Sequence, residues 1–196
     1  MGASLVCILL ASSRMPRRRA VFALPLFLLA ITLTSPRAFA QAPVPHLRPE
    51  TQGLRALTAR AAARSPIVRG LIDQLDQAAV IVYLRHRVFG PVAIDGHIGL
   101  LSASRTHRFL VIELACDRSE LTQMATLAHE LHHALEIAGD PTVVDTQSLM
   151  RFYTRVGSAL QPIGVTMTFE TQAAAETGAR VRHELLTQPA RSAHGY

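Results

Sequence analysis

Ala128-His129-Glu130-Leu131-His132-His133-Ala134-Leu135 lies inside a run from Ser119 to Ala138 that contains no Gly and no Pro. Leu121, Met124, Ala128, Leu131, Leu135 and Ala138 recur at three-and-four spacing, so the run predicts an amphipathic helix with one apolar stripe. Asp117 or Ser119 can cap its start, and Glu120 three residues after Asp117 resembles a capping box. Gly139 is placed to end the helix, and Pro141 prevents its continuation. Residues four apart on a helix lie about 40° apart around the axis and roughly 6 Å along it, so His129 and His133 share a face. Two imidazoles at that spacing can hold one zinc ion. Glu130 lies about 100° from His129. Its carboxylate is therefore beside such a metal, where it can take a proton from a water on it. His132 points to the other side and is expected to pack or hydrogen-bond rather than ligate. A helix with half-buried, hydrogen-bonded histidines shows the same letters, so context decides.

The chain has 196 residues and a formal net charge of +6. Arg14, Arg17, Arg18 and Arg19 precede an apolar run from Ala20 to Leu33, and Ala38-Phe39-Ala40 follows. A basic segment, a short apolar core and A-x-A predict a secretory signal peptide over residues 1–40, cut after Ala40. Met15 is a second candidate start. The run contains Pro25 and is short for a membrane span. A retained N-terminal anchor is the alternative. Five arginines and no acidic residue precede the cut, which leaves about +1 on the remainder. The basic balance is therefore no argument for nucleic acid. All twenty basic residues are Arg, for which we have no physical account. Cys7 would leave with the signal, so Cys116 has no intramolecular partner and is expected to be a small core residue. The expected product is exported, periplasmic or extracellular, with no membrane span in the mature chain.

Residues 41–52 read as a flexible leader and 53–196 as a single domain. Gly53 to Arg64 suggests a surface helix, and Ser65-Pro66 starts a second one that continues from Ile67 to Gln77. Ala79 to Leu84 is β-branched and apolar, a strand. Gly90, Pro91, Gly96 and Gly99 suggest turns. Leu100 to Ser104 and Phe109 to Leu114, joined by the turn at residues 105–108, predict a hairpin just before the histidine helix. His86, His97 and His107 in this region are expected on the surface or in turns. Val143 to Ser158 suggests a helix broken near Gly157, and Pro162 to Thr168 a turn with a short extended piece. Glu170 to Thr187 suggests a last helix with Gly178 inside it. Helices, a small sheet, then helices predict an α+β fold, with a small antiparallel sheet packed on helices.

A catalytic zinc takes three protein ligands and an open position for water. Position 139, ten residues after His129, is Gly; Asp140 lies one residue late and precedes Pro141. Glu136 is too far along the axis to share a metal with His129, and suits a supporting or solvated role. The stretch from Phe169 to Ala179 holds two carboxylates, Glu170 and Glu176, among small alanines that let a helix pack closely. A carboxylate there is either buried at a cost or bound to something positive. Glu170, Glu176 and Asp140 all stay open, with Glu170 preferred at the entrance of the Ala-rich face.

Taken together, the chain over residues 100–187 resembles zincin metallopeptidases of the gluzincin type. Residues 128–135 match the active helix, and Glu170-Thr171-Gln172-Ala173 looks like the E-x-x-A form of the second one. No metzincin continuation is present. The resemblance implies Zn2+ held by His129, His133 and Glu170, with Glu130 as general base, and a peptide or protein substrate. It further implies a strand matching Phe109 to Leu114 that pairs with an extended substrate, and an oxyanion donor for which Tyr153, His183 and Arg180 are available. Two other functions fit the residues: a zinc-binding domain without turnover, and a signal-anchored helical interaction protein with a fortuitous motif.

Overall fold

Residues 44–89, 94–159 and 169–187 are described by the structure, a computed structural model. The chain divides after Gln41, and these residues lie in the second unit, Ala42–Tyr196. The expected signal segment and the Pro162–Thr168 turn lie outside the described residues.

In chain order the elements are β1 (Leu47–Pro49), α1 (Gln52–Arg64), α2 (Pro66–Leu75), β2 (Val80–Arg87), β3 (Gly96–Ala103) and β4 (Arg108–Ala115). Then follow α3 (Glu120–Gly139), α4 (Thr146–Val156), β5 (Ser158–Ala159), β6 (Phe169–Glu170) and α5 (Gln172–Thr187). Five helices and a four-stranded sheet make an α+β arrangement among the described residues. No helix among them is long and apolar enough to cross a membrane.

The sheet is mixed, not antiparallel as the sequence suggested. Its order is β1-β2-β4-β3, with β2 parallel to both β1 and β4 and only β3–β4 antiparallel. The hairpin of β3 and β4 does form. Its first strand sits at the sheet edge, however, so β4 runs alongside β2 in the same direction. Two helices separate β1 from β2, long enough for a parallel crossover. Leu47, which the sequence left in a leader, is 5% exposed and pairs with Val82. Gly96 and Gly99 lie within β3 rather than in turns. A Cβ at Gly96 would collide with Thr126 Cγ2 and come 3.2 Å from Glu130 Oε1, so its bare backbone lets β3 approach α3.

One sheet face carries Val80, Val82, Leu84, Leu110, Ile112 and Leu114, each fully buried. It forms one core with Met124, Leu127, Leu131 and Ile137 of α3. Burying each such side chain contributes roughly 1.5–3 kcal/mol. Ser119 caps α3 by accepting from Thr122 N–H, and Asp140 follows its last residue. The far end is held by Arg108 at the start of β4. This buried guanidinium donates to the carbonyls of Ile137, Ala138 and Asp140 at 2.9, 2.9 and 2.6 Å, groups a helix end leaves unpaired. Cys116 is exposed rather than in the core, because β4 ends at Ala115 and the chain turns outward there.

Candidate metal centre

Helix α3 presents His129, Glu130 and His133 on the side facing α5 and β3. Helix α5 packs antiparallel on α3, and Gly178 permits the close approach: a Cβ there would lie 3.2 Å from His129 Cβ and 3.5 Å from the Ala125 carbonyl. Glu170 was expected to open the last helix. It lies instead in β6, one residue before Thr171. Thr171 Oγ1 accepts from Ala174 N–H at 3.2 Å and so takes the capping position, which leaves Glu170 in extended backbone.

His129 Nε2 lies 3.4 Å from Glu170 Oε2, and His133 Nε2 lies 3.5 Å from Glu170 Oε1. One ligand atom from each of the three falls within 4.8 Å of the others. Zinc–nitrogen and zinc–oxygen bonds of about 2.0–2.1 Å give a tetrahedron with edges of about 3.4 Å, which the two histidine–glutamate separations match. The other two carboxylates are elsewhere. Glu176 is exposed and accepts from Gln172 Nε2 at 2.7 Å. Asp140 accepts from Thr142 N–H and Oγ1 and from Arg155, at the end of α3.

Glu136 supports the centre. Its Oε2 lies 2.7 Å from His133 Nδ1, and its Oε1 accepts from Thr171 Oγ1 at 2.7 Å. A carboxylate on Nδ1 fixes the ring and leaves Nε2 facing Glu170. The same residue ties α3 to the segment that carries Glu170. His132 Nδ1 lies 3.1 Å from Thr177 Oγ1 on α5.

The electrostatics follow from burial and these pairs. Burial disfavours a charged His133, but the bonds to Glu136 and Glu170 outweigh it and raise its pKa to about 9. His129 is pushed below its usual value by burial, which Glu170 only partly offsets. Burial opposes ionisation of Glu170 and Glu136, yet bonding to His133 holds both below the usual carboxylate range. Glu130 differs. It is 5% exposed, and burial pushes it up to about 7.

His129, Glu130, His133 and Glu170 line a cavity of about 1000 Å³ between β3, α3, α4 and α5. Tyr153 of α4 lines it too, stacked on Phe169 at 6.1 Å between ring centres and edge-on to His133 at 5.4 Å. Its hydroxyl is buried without a hydrogen-bond partner. Burial, followed by Glu136, Glu130 and Glu170, pushes its pKa further above the usual phenol value. The hydroxyl therefore stays protonated, as a donor. His183 and Arg180 are exposed and outside the cavity wall. Arg182, which the sequence did not single out, lines it. The signal was the spacing of Ala175, Gly178, Ala179 and Arg182 on one helix face. No family model, curated protein or solved structure matches the chain.

Proposed function

We propose that the chain is an exported zinc-dependent metallopeptidase of zincin type that hydrolyses peptide bonds. The observation that carries this reading is the convergence of His129, His133 and Glu170 beside a buried Glu130 in one large cavity. Zinc at this site would lower the pKa of a bound water and polarise the scissile carbonyl. Glu130 accepts the water proton and delivers it to the departing amine. A carboxylate near pH 7 suits both transfers. Tyr153 donates its otherwise unpartnered hydroxyl to the oxygen that gains charge. Glu136 keeps His133 oriented.

The substrate would lie along β3, not along Phe109 to Leu114 as the resemblance implied. β4 is flanked by β2 and β3, so its backbone groups are spent within the sheet. β3 is the open edge, and Gly96 to Leu100 line the cavity. An extended peptide can add to such an edge. Export follows from the N-terminal sequence pattern; mass spectrometry of the secreted chain would show a start at Gln41.

Elemental analysis tests the centre. About one zinc per purified chain is expected, lost in His133→Ala and Glu170→Ala. Peptide cleavage abolished by Glu130→Gln with zinc retained identifies a peptidase. Zinc without any turnover would leave a binding domain. No zinc in the wild-type chain would leave a helical interaction protein with a fortuitous motif.

A further inference from the structure

The cavity wall contains one guanidinium among the described residues, that of Arg182, and no hydrogen bond or ion pair with another described residue engages it. Of the three carboxylates that line the cavity, Asp95 is held by Arg118 at 2.6 Å, Glu170 faces His129 and His133, and Glu130 is buried, and no ion pair joins any of them to Arg182. Ala175, Gly178, Ala179 and Arg182 all face the cavity, at the spacing of one helix stripe. Three of them carry a methyl or less, so α5 is cleared of side chains from the centre until Arg182. The remaining wall combines apolar side chains such as Ile98, Leu100, Leu149 and Phe169 with the polar groups of the centre and of His97 and Thr126.

The position of this cation relative to the centre can be scaled. Gly178 abuts His129. Arg182 is four residues further along α5, about 6 Å of axis, and its own stem adds a few ångströms. An extended peptide advances about 3.3–3.6 Å per residue. The guanidinium therefore falls about two to three residues from a bond lying at His129. A planar, permanently charged fork, exposed to solvent at the cavity wall, matches a carboxylate in shape and sign.

We propose that Arg182 binds a peptide carboxylate two to three residues from the cleaved bond, making the cavity selective for substrates that bear one there. The inference rests on the peptidase reading and names its substrate class. A free C-terminus and an Asp or Glu side chain offer the same group.

The test uses the full zinc-loaded chain carrying Glu130→Gln, so that peptides bind without being cut. Three labelled peptides of one core sequence are compared by fluorescence anisotropy: a free acid, its C-terminal amide, and the amide with a Glu near its end. A carboxylate-bearing peptide is expected to bind about tenfold tighter than the neutral amide. Which of the two gains identifies the source. Arg182→Gln should erase the difference with zinc content unchanged, and Arg182→Lys should restore part of it. Equal binding of all three peptides overturns the proposal, as does a preference that survives Arg182→Gln. Absence of zinc, or of any peptide cleavage by the wild-type chain, would instead overturn the peptidase reading and this inference with it.

Discussion

Glu113 on β4 and Glu130 on α3 are both buried carboxylates, 3% and 5% exposed, and the fold surrounds them in opposite ways. Glu113 faces Arg85 across the parallel register of β2. It accepts from Arg85 Nε at 2.8 Å and from Arg87 at 2.5 Å. Burial would raise its pKa, but the two arginines more than offset that and hold it below the usual range. No hydrogen bond or ion pair reaches Glu130 among the described residues, and no Arg is among the groups that shift its pKa. Burial pushes it up to about 7, with the charge on His133 offsetting part of the rise. A carboxylate given its own cations is part of the scaffold. One buried without them is where a proton or an external cation has a role.

Substituting the two glutamates separates the roles. Glu130→Gln should lower peptide cleavage by about a hundredfold to ten-thousandfold with zinc retained, measured on any peptide the wild-type chain cuts. Glu113→Gln should leave that rate alone. A comparable loss in both would erase the distinction.

In the metal-free chain the same substitution at Glu130 should stabilise. The folded pKa of about 7 stands above the ordinary 4.5, so the folded state binds more protons between these values and loses stability as pH rises through them. Urea unfolding should show Glu130→Gln ahead of wild type by on the order of 3 kcal/mol at pH 8, with the gap closing toward pH 4.5. A gap that does not change with pH would mean Glu130 is compensated after all.

Glu136→Leu sharpens the contrast from the other side, since this carboxylate serves a histidine rather than an arginine. Zinc affinity should fall about tenfold to a hundredfold in competition with a chelator. The smallest effect is expected at Glu113→Gln. Its arginines are 44% and 54% exposed, so the loss of stability should be about 1 kcal/mol at neutral pH, by urea titration. Because the folded pKa of Glu113 is depressed, that contribution should disappear as pH falls through it.

What the sequence disclosed was local. The period of α3, its Ser119 cap and the turn between β3 and β4 are written in neighbouring residues. The facing of His129 and His133 follows from helix geometry alone. The mixed sheet was not legible, because pairing of β1 with β2 depends on residues about 35 apart and parallel strands leave no local turn signal. Gly96 and Gly99 looked like punctuation; Gly96 in fact answers to Thr126 and Glu130 on another element. Glu170 could be preferred over Glu176 from its setting, but its place in β6 follows from Thr171 taking the cap. The partnership of Thr171 with Glu136, the unpartnered Tyr153 hydroxyl and the cavity-facing Arg182 are products of packing between distant segments.

Among the described residues β3 is an open sheet edge, and such an edge carries a hazard of its own. An unpaired strand edge is a template for any other chain, including another copy of this one. At the opposite edge of the sheet, β1 is only three residues long and ends in Pro49, which cannot donate. Among the described residues β3 is interrupted only by the irregularity between Leu100 and Ser102, which limits the regular edge to Gly96–Leu100. If peptides bind along β3 as proposed, protein concentration would act as their rival: strand-to-strand association of two copies would occlude the cleft, and peptides on β3 would keep the protein dispersed.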